Sequence, residues 1–150
     1  MKIAFRFLTI ICVVITLSAL LTHLLELPGK VKLSQEDYQT VQRIYSGWAS
    51  LGIFEIGAIL LTLIWTVNAR KKKSTFLFLI CGLICFVISI VIFFVFTFPA
   101  NTATANWTEL TQNWRLLRTQ WEYSHAARAV LNFSGFCSLL LALFKEKTNW

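Results

Sequence analysis

Charge is scarce in this sequence: only 14% of its 150 residues are Asp, Glu, Lys or Arg, against 57% hydrophobic. So apolar a balance excludes a soluble domain of ordinary composition. A Gly-rich phosphate loop, an internal repeat and a low-complexity tract are all missing, which removes nucleotide-loop enzymes, solenoids and disordered linkers. No cysteine falls between the apolar runs, since Cys12, Cys81, Cys85 and Cys137 all lie within them, so a disulfide scaffold is excluded. They read as packing residues. Cys81 and Cys85 share a helix face, yet no His or carboxylate accompanies them there as a metal would need. The net charge of +7 is not arranged as a basic groove between aromatic side chains, which argues against a nucleic-acid partner.

What the sequence does have is four apolar runs, each long enough to cross about 30 Å of hydrocarbon as helix. They predict helices over about 5–27, 41–68, 75–98 and 107–144, and leave no length for a soluble domain. The fold class expected is all-α: one domain, 1–150, an integral membrane four-helix bundle in a lipid bilayer. The run Arg70, Lys71, Lys72, Lys73 sits between the second and third spans and marks a cytoplasmic loop. Lys2, Arg6, Lys145 and Lys147 belong on the same side, so both termini are expected in the cytoplasm of an inner or plasma membrane. Lys2 and Arg6 before an apolar run resemble a signal peptide, but no small-residue cleavage site follows. Pro28-Gly29 is expected to end the first helix, and Pro99 the third. The segment 30–42 reads as a loop in which Ser34 and Asp37 form a capping box opening the second helix. Counting back about 20 residues from Phe144 reaches His125, so the start of the fourth helix should stand outside the membrane.

Polar residues recur with helical phase on three of these helices. On the fourth, Trp107, Trp114, Arg118, Trp121, His125, Arg128 and Asn132 share a face, with Glu122 beside them. The second carries Tyr45, Trp48, Gly52, Glu55, Thr62 and Thr66 in one phase, and the first Cys12, Thr16, Ala19, His23 and Glu26. Gly82, Cys85 and Ser89 on the third are small enough for close helix approach, toward either the interior or a second copy in a homo-oligomer. At 1.5 Å per residue, His23 lies about 24 Å from Phe7, Glu55 about 21 Å from Ala69 and Arg128 about 24 Å from Phe144. These levels agree within about one turn. One outward-opening pocket is therefore expected to hold His23, Glu26, Glu55, Glu122, His125 and Arg128, because a lipid-facing charge at that depth costs several kcal/mol.

Several chemistries fit such a set. Glu55 with Arg128, and Glu122 or Glu26 with Arg118, would make ion pairs that fix helix register in a non-catalytic protein, a transporter subunit or an assembly partner. Trp107, Trp114 and Trp121 would then form an interfacial belt. A transition metal is the sharper reading: Glu122-x-x-His125 has the form used in di-iron bundles, His23-x-x-Glu26 has it reversed, and Glu55 adds a carboxylate. The set is one carboxylate short for two metals and suits one. Haem held by His23 and His125 is a further arrangement. Without any cofactor, His125 flanked by Glu122 and Arg128 is placed to deprotonate a phenol or similar acid.

The stretch Pro99-Ala100-Asn101, followed by Trp121-Glu122-Tyr123-Ser124-His125-Ala126-Ala127-Arg128, resembles the pattern of the DUF1772 family, small four-helix membrane proteins that include anthrone oxygenase-like members. The resemblance places Asn101, Trp121, His125 and Arg128 at the family's signature positions. It implies oxidation of an electron-rich, lipophilic phenolic substrate by molecular oxygen, without a tightly bound organic cofactor. On that reading His125 is base or ligand, Arg128 holds an anionic oxygen, Glu55 and Glu122 tune or ligate, and Trp121, Asn101, Tyr45 and Arg118 line the substrate space.

Overall fold

The computed structural model describes residues 3–109 and 111–147; Lys2, and the side chain of Lys147, lie outside the description. Helix α1 runs Ile3–Lys30, α2 Gln35–Gln42, α3 Gly52–Asn68, α4 Lys73–Ile92, α5 Phe98–Ala103 and α6 Trp114–Lys147. Short 3-10 turns at Arg43–Tyr45 and Trp48–Leu51 join α2 to α3, and a π-helical turn, Phe93–Thr97, joins α4 to α5. Four helical stretches have the length and apolarity to cross a membrane: Ile3–Lys30, Trp48–Asn68, Lys73–Ala103 and Trp114–Lys145. The chain is an all-α membrane bundle. Its 34-residue α6 is about 51 Å long at about 1.5 Å per residue, well beyond the hydrocarbon thickness.

Several hydroxyls inside the spans bond back to their own helices: Thr9, Thr16, Ser18, Thr22 and Thr66 each donate to the carbonyl four residues earlier, which satisfies those donors in an apolar surrounding, while the buried Thr62 and Thr75 hydroxyls have no such partner. The small residues of α4 turn inward. A Cβ on Gly82 would stand 2.4 Å from Leu139 Cδ1, and one on Gly135 would stand 2.4 Å from the Phe86 ring, so each glycine is the space its neighbour fills. One apolar core gathers Val13, Trp65, Leu79, Phe86 and Leu139 toward the termini. A second, aromatic core at the other end contains Tyr38, Trp107, Trp114, Leu117 and Trp121.

Several boundaries differ from the sequence reading, for local reasons. Helix α1 continues through Pro28 and Gly29 to Lys30, because the Lys30 side chain is buried and held by carboxylates within the bundle. Ser34 does cap a helix, accepting from Asp37 N–H and donating to the Asp37 carboxylate, but it opens α2, not the second span, and the bond from the Ser34 N–H that would complete a capping box does not form. That span begins only at Trp48, after Gly47 takes φ +85°, a left-handed turn suited to glycine. Pro99 does not end the third span. The π turn before it changes the hydrogen-bond register, Pro99 takes a first-turn position of α5, and the Phe96 carbonyl accepts from Gln120 Nε2. The fourth helix starts at Trp114 instead of Trp107. Nor do Trp107, Trp114 and Trp121 form a belt; all three are buried, against Tyr38 and one another.

Trp107 reaches that core by way of backbone strain. Ala105, Asn106 and Trp107 all have positive φ, at 47°, 55° and 64°. The turn is held by Thr104, whose hydroxyl donates to the Ala100 carbonyl and accepts from Trp107 N–H. Ala105 is exposed, so Ala105→Gly should raise stability by about 1 kcal/mol, since glycine avoids the left-handed penalty of an L-residue. Unfolding of both proteins in the same detergent checks it.

Candidate functional site

α1, α3 and α6 bring their polar stripes together, and the depths inferred from sequence sort the side chains into layers. His23 and His125 meet in the middle layer, with ring centroids 4.3 Å apart and planes inclined by 40°. Trp121 lies one turn before His125 on the same face of α6, and its ring contacts both imidazoles at 4.2 and 5.0 Å. Tyr45 and Trp48 approach His23 from the other side at 4.5 and 5.7 Å. Trp121 is fixed in turn by Asn101, whose Oδ1 accepts its Nε1–H at 2.7 Å. His23 and His125 are 5% and 8% exposed, and neither Nδ1 has a hydrogen-bond partner. Two buried imidazoles whose Nδ1 atoms have no hydrogen-bond partner, packed against aromatic faces, fill an aromatic chamber between the two charged layers.

The layer deeper in the spans is an ion pair. Arg128 Nη2 donates to both oxygens of Glu55, at 3.0 and 2.7 Å. Ser89 from α4 joins them, donating to Glu55 and accepting from Arg128 Nε and from Asn132 Nδ2. The guanidinium also stands 4.9 Å from the Phe93 ring, which the π turn presents. Glu55 with Arg128 was legible from depth alone. Ser89 was read only as a small residue, and its hydroxyl as the link between the charges was not.

The layer toward α2 is organised by Lys30, which the sequence places in a loop and the structure at the end of α1. Its ammonium is 3.0 Å from Glu122 and 3.7 Å from Glu26, and lies over the Tyr45 and Trp121 rings at 4.7 and 4.8 Å. Glu26 falls four residues before Lys30 on the helix and His23 seven before, so the face does continue past Pro28. Arg118 therefore does not pair with Glu122 or Glu26 as expected. It donates to the Leu33 carbonyl at 3.0 Å and lies over the Trp114 and Tyr38 rings, fastening α2 to α6. Tyr38 donates to Glu122 Oε1 at 2.8 Å and accepts from Gln42, while Tyr45 donates to Glu26. Burial first, and then the adjacent carboxylates, push both phenols well above the ordinary tyrosine range, so both remain protonated donors.

The expected outward opening is closed by these residues. Glu122 is 1% exposed beneath Tyr38, whereas Glu26, with 35% of its side chain accessible, reaches the surface beside the half-buried Tyr45. Nothing in the sequence signalled this cover: α2 and its turns are short, polar and without a period. Tyr38→Phe should cost about 1–3 kcal/mol, because Glu122 and Gln42 then share a buried site without the hydroxyl between them. Thermal or denaturant unfolding in detergent measures it.

The sequence pattern of the anthrone oxygenase family matches residues 38–138, well over half of the chain. The chain belongs to the anthrone oxygenase family. No curated protein and no solved structure matches it. In this anthrone oxygenase family member the matched segment supplies Tyr45, Glu55, Asn101, Trp121, Glu122, His125 and Arg128. His23, Glu26 and Lys30 come from α1, outside the match.

The donors suggested for a metal do not assemble. His23, Glu26, Glu55, Glu122 and His125 divide among the three layers, with Glu55 on Arg128 and both Glu26 and Glu122 on Lys30. Among the described residues no three His, Cys, Asp or Glu side chains come together as a metal site requires. Haem does not fit between His23 and His125 either, since rings 4.3 Å apart leave no room for an iron and its porphyrin plane.

Proposed function

We propose that this anthrone oxygenase family member is a membrane-embedded oxidoreductase that deprotonates an anthrone or a related lipophilic phenol and lets the resulting anion react with molecular oxygen. The observation that carries the reading is the pair of buried imidazoles with unbonded Nδ1 atoms inside a cage of Trp48, Trp121 and Tyr45. An anthrone is the keto form of a phenol, and its ring methylene is a carbon acid. Removing that proton yields an electron-rich aromatic anion that reduces oxygen directly. Addition of oxygen at that carbon and loss of water give the quinone, so one anthrone and one O2 become one quinone and one H2O.

In this reading His125 is the base, and His23 shares the proton across the short ring-to-ring gap. Trp121 and Tyr45 hold the aromatic plane, with Asn101 fixing Trp121. Arg128 and Lys30, one layer to each side, supply positive potential for the substrate oxyanion while remaining bound to their own carboxylates. We place both termini in the cytoplasm, on the strength of the Arg70–Lys73 run, and the chamber in the opposite leaflet.

The test is oxidation of anthrone under 18O2 by proteoliposomes containing the full chain. Faster oxygen uptake than in empty vesicles, with one labelled atom in the quinone and the other in water, is the expected result. A rate equal to that of empty vesicles would overturn the reading. One observation favours a non-catalytic membrane protein instead: Glu55 pairs with Arg128, and Glu26 and Glu122 share Lys30, as a purely structural network would. That protein would leave the uptake rate unchanged.

A further inference from the structure

The water-facing side of the chamber is covered by α2, and on its lipid-facing flank stands the Trp48 ring. A groove of about 330 Å3 runs along the flank of the bundle between α1 and the turn that opens α3, lined by Val14, Ser18, Ala19, Thr22, Trp48 and Leu51 among others. That volume lies at the small end of the range for small-molecule sites, about 300–1,000 Å3. Its wall is mostly hydrocarbon and carries no charged side chain, and its hydroxyls are turned to their own helix: Ser18 donates to the Val14 carbonyl and Thr22 to the Ser18 carbonyl. Ala19 supplies the depression, and the Trp48 indole supplies a flat side.

Trp48 belongs to both spaces. It lines the groove, and its ring centroid is 5.7 Å from that of His23. It sits in a short 3-10 turn directly after Gly47, whose φ of +85° is the sharpest bend in the connection. Trp48 is thus the side chain that the groove and the imidazole pair share, with Tyr45 beside it at 5.1 Å. On the α2 side, Tyr38, Tyr45 and the Lys30 network stand over the imidazole pair.

We propose that this groove is the subsite through which a planar, apolar aromatic substrate is taken from the bilayer, with Trp48 turning aside to admit it to His23. An anionic ligand would find no counter-charge in the wall, whereas a fused-ring body stacks on the indole. The inference rests on the oxygenase reading for what happens inside, and on the groove alone for where the substrate enters.

The test uses full-length protein in phosphatidylcholine vesicles, photolabelled with 1-azidonaphthalene and mapped by peptide mass spectrometry. Adducts should concentrate on residues 14–22 and 48–51, about tenfold over the lipid-exposed Leu60, Leu63 and Val91, a preference equivalent to about 1.4 kcal/mol. Anthrone in the bilayer should remove that excess. Ala19→Phe, which fills the depression, should abolish it, and Leu51→Trp gives the same reading should the first variant not fold. Uniform labelling would overturn the proposal, as would groove labelling displaced by palmitate but not by anthrone, which would assign the groove to acyl chains. Concentrated, anthrone-sensitive labelling without oxygen uptake would leave the groove standing and remove the oxygenase reading. Oxygen uptake with uniform labelling would do the reverse.

Discussion

Arg128→Leu is expected to destabilise the protein by about 3–5 kcal/mol, the loss that follows when one partner of a buried ion pair is removed and the other charge is left behind. Glu55 is only 9% exposed, and its counter-charge comes from Arg128 alone among the cations near it. Ser89 keeps one hydrogen bond to the carboxylate but cannot neutralise it. The companion variant, Glu55→Leu with Arg128→Leu, should recover most of the loss, because no isolated charge then remains inside the bundle. Unfolding of the single and double variants in mixed micelles measures both. Equal losses for single and double changes would mean that packing, not charge, dominates this layer.

His125→Gln is expected to act in the opposite way, with a large effect on rate and a small one on stability. Replacing a general base typically lowers kcat by about 10²–10⁴. The stability cost should be only about 0.5–1.5 kcal/mol, the worth of the ring contacts with Trp121 and His23, since Nδ1 bonds to nothing. Parallel anthrone oxidation and unfolding measurements separate the two. A variant that unfolds readily yet retains its rate would make His125 a packing residue.

The contrast between these two sites explains what the sequence disclosed. Glu55 and Arg128 were paired, and His23 and His125 placed on a common interior, by helical phase and by depth from the spans' ends. Both quantities follow from fixed helix geometry. Lys30 escaped because proline was read as a stop, whereas tertiary binding of the ammonium keeps the last turn of α1 helical. Arg118 was assigned to the carboxylates that Lys30 takes, and its own bond to the Leu33 carbonyl depends on a fold of α2 that no periodicity announces. Tyr38 was missed for the same reason. The path of 93–107 was hidden too, since a π turn and three left-handed residues are tertiary accommodations with little local signature.

His23 lies outside the segment that carries the family pattern, yet it completes the chamber, so its partnership with His125 bears most directly on how this chain works. A double-mutant cycle on anthrone oxidation, comparing His23→Gln, His125→Gln and both together in vesicles of verified folded content, tests it. Residues that act as one unit give strongly non-additive losses, so the double variant should be no slower than the worse single variant. Losses that multiply, or a His23→Gln variant with an unchanged rate, would contradict the account.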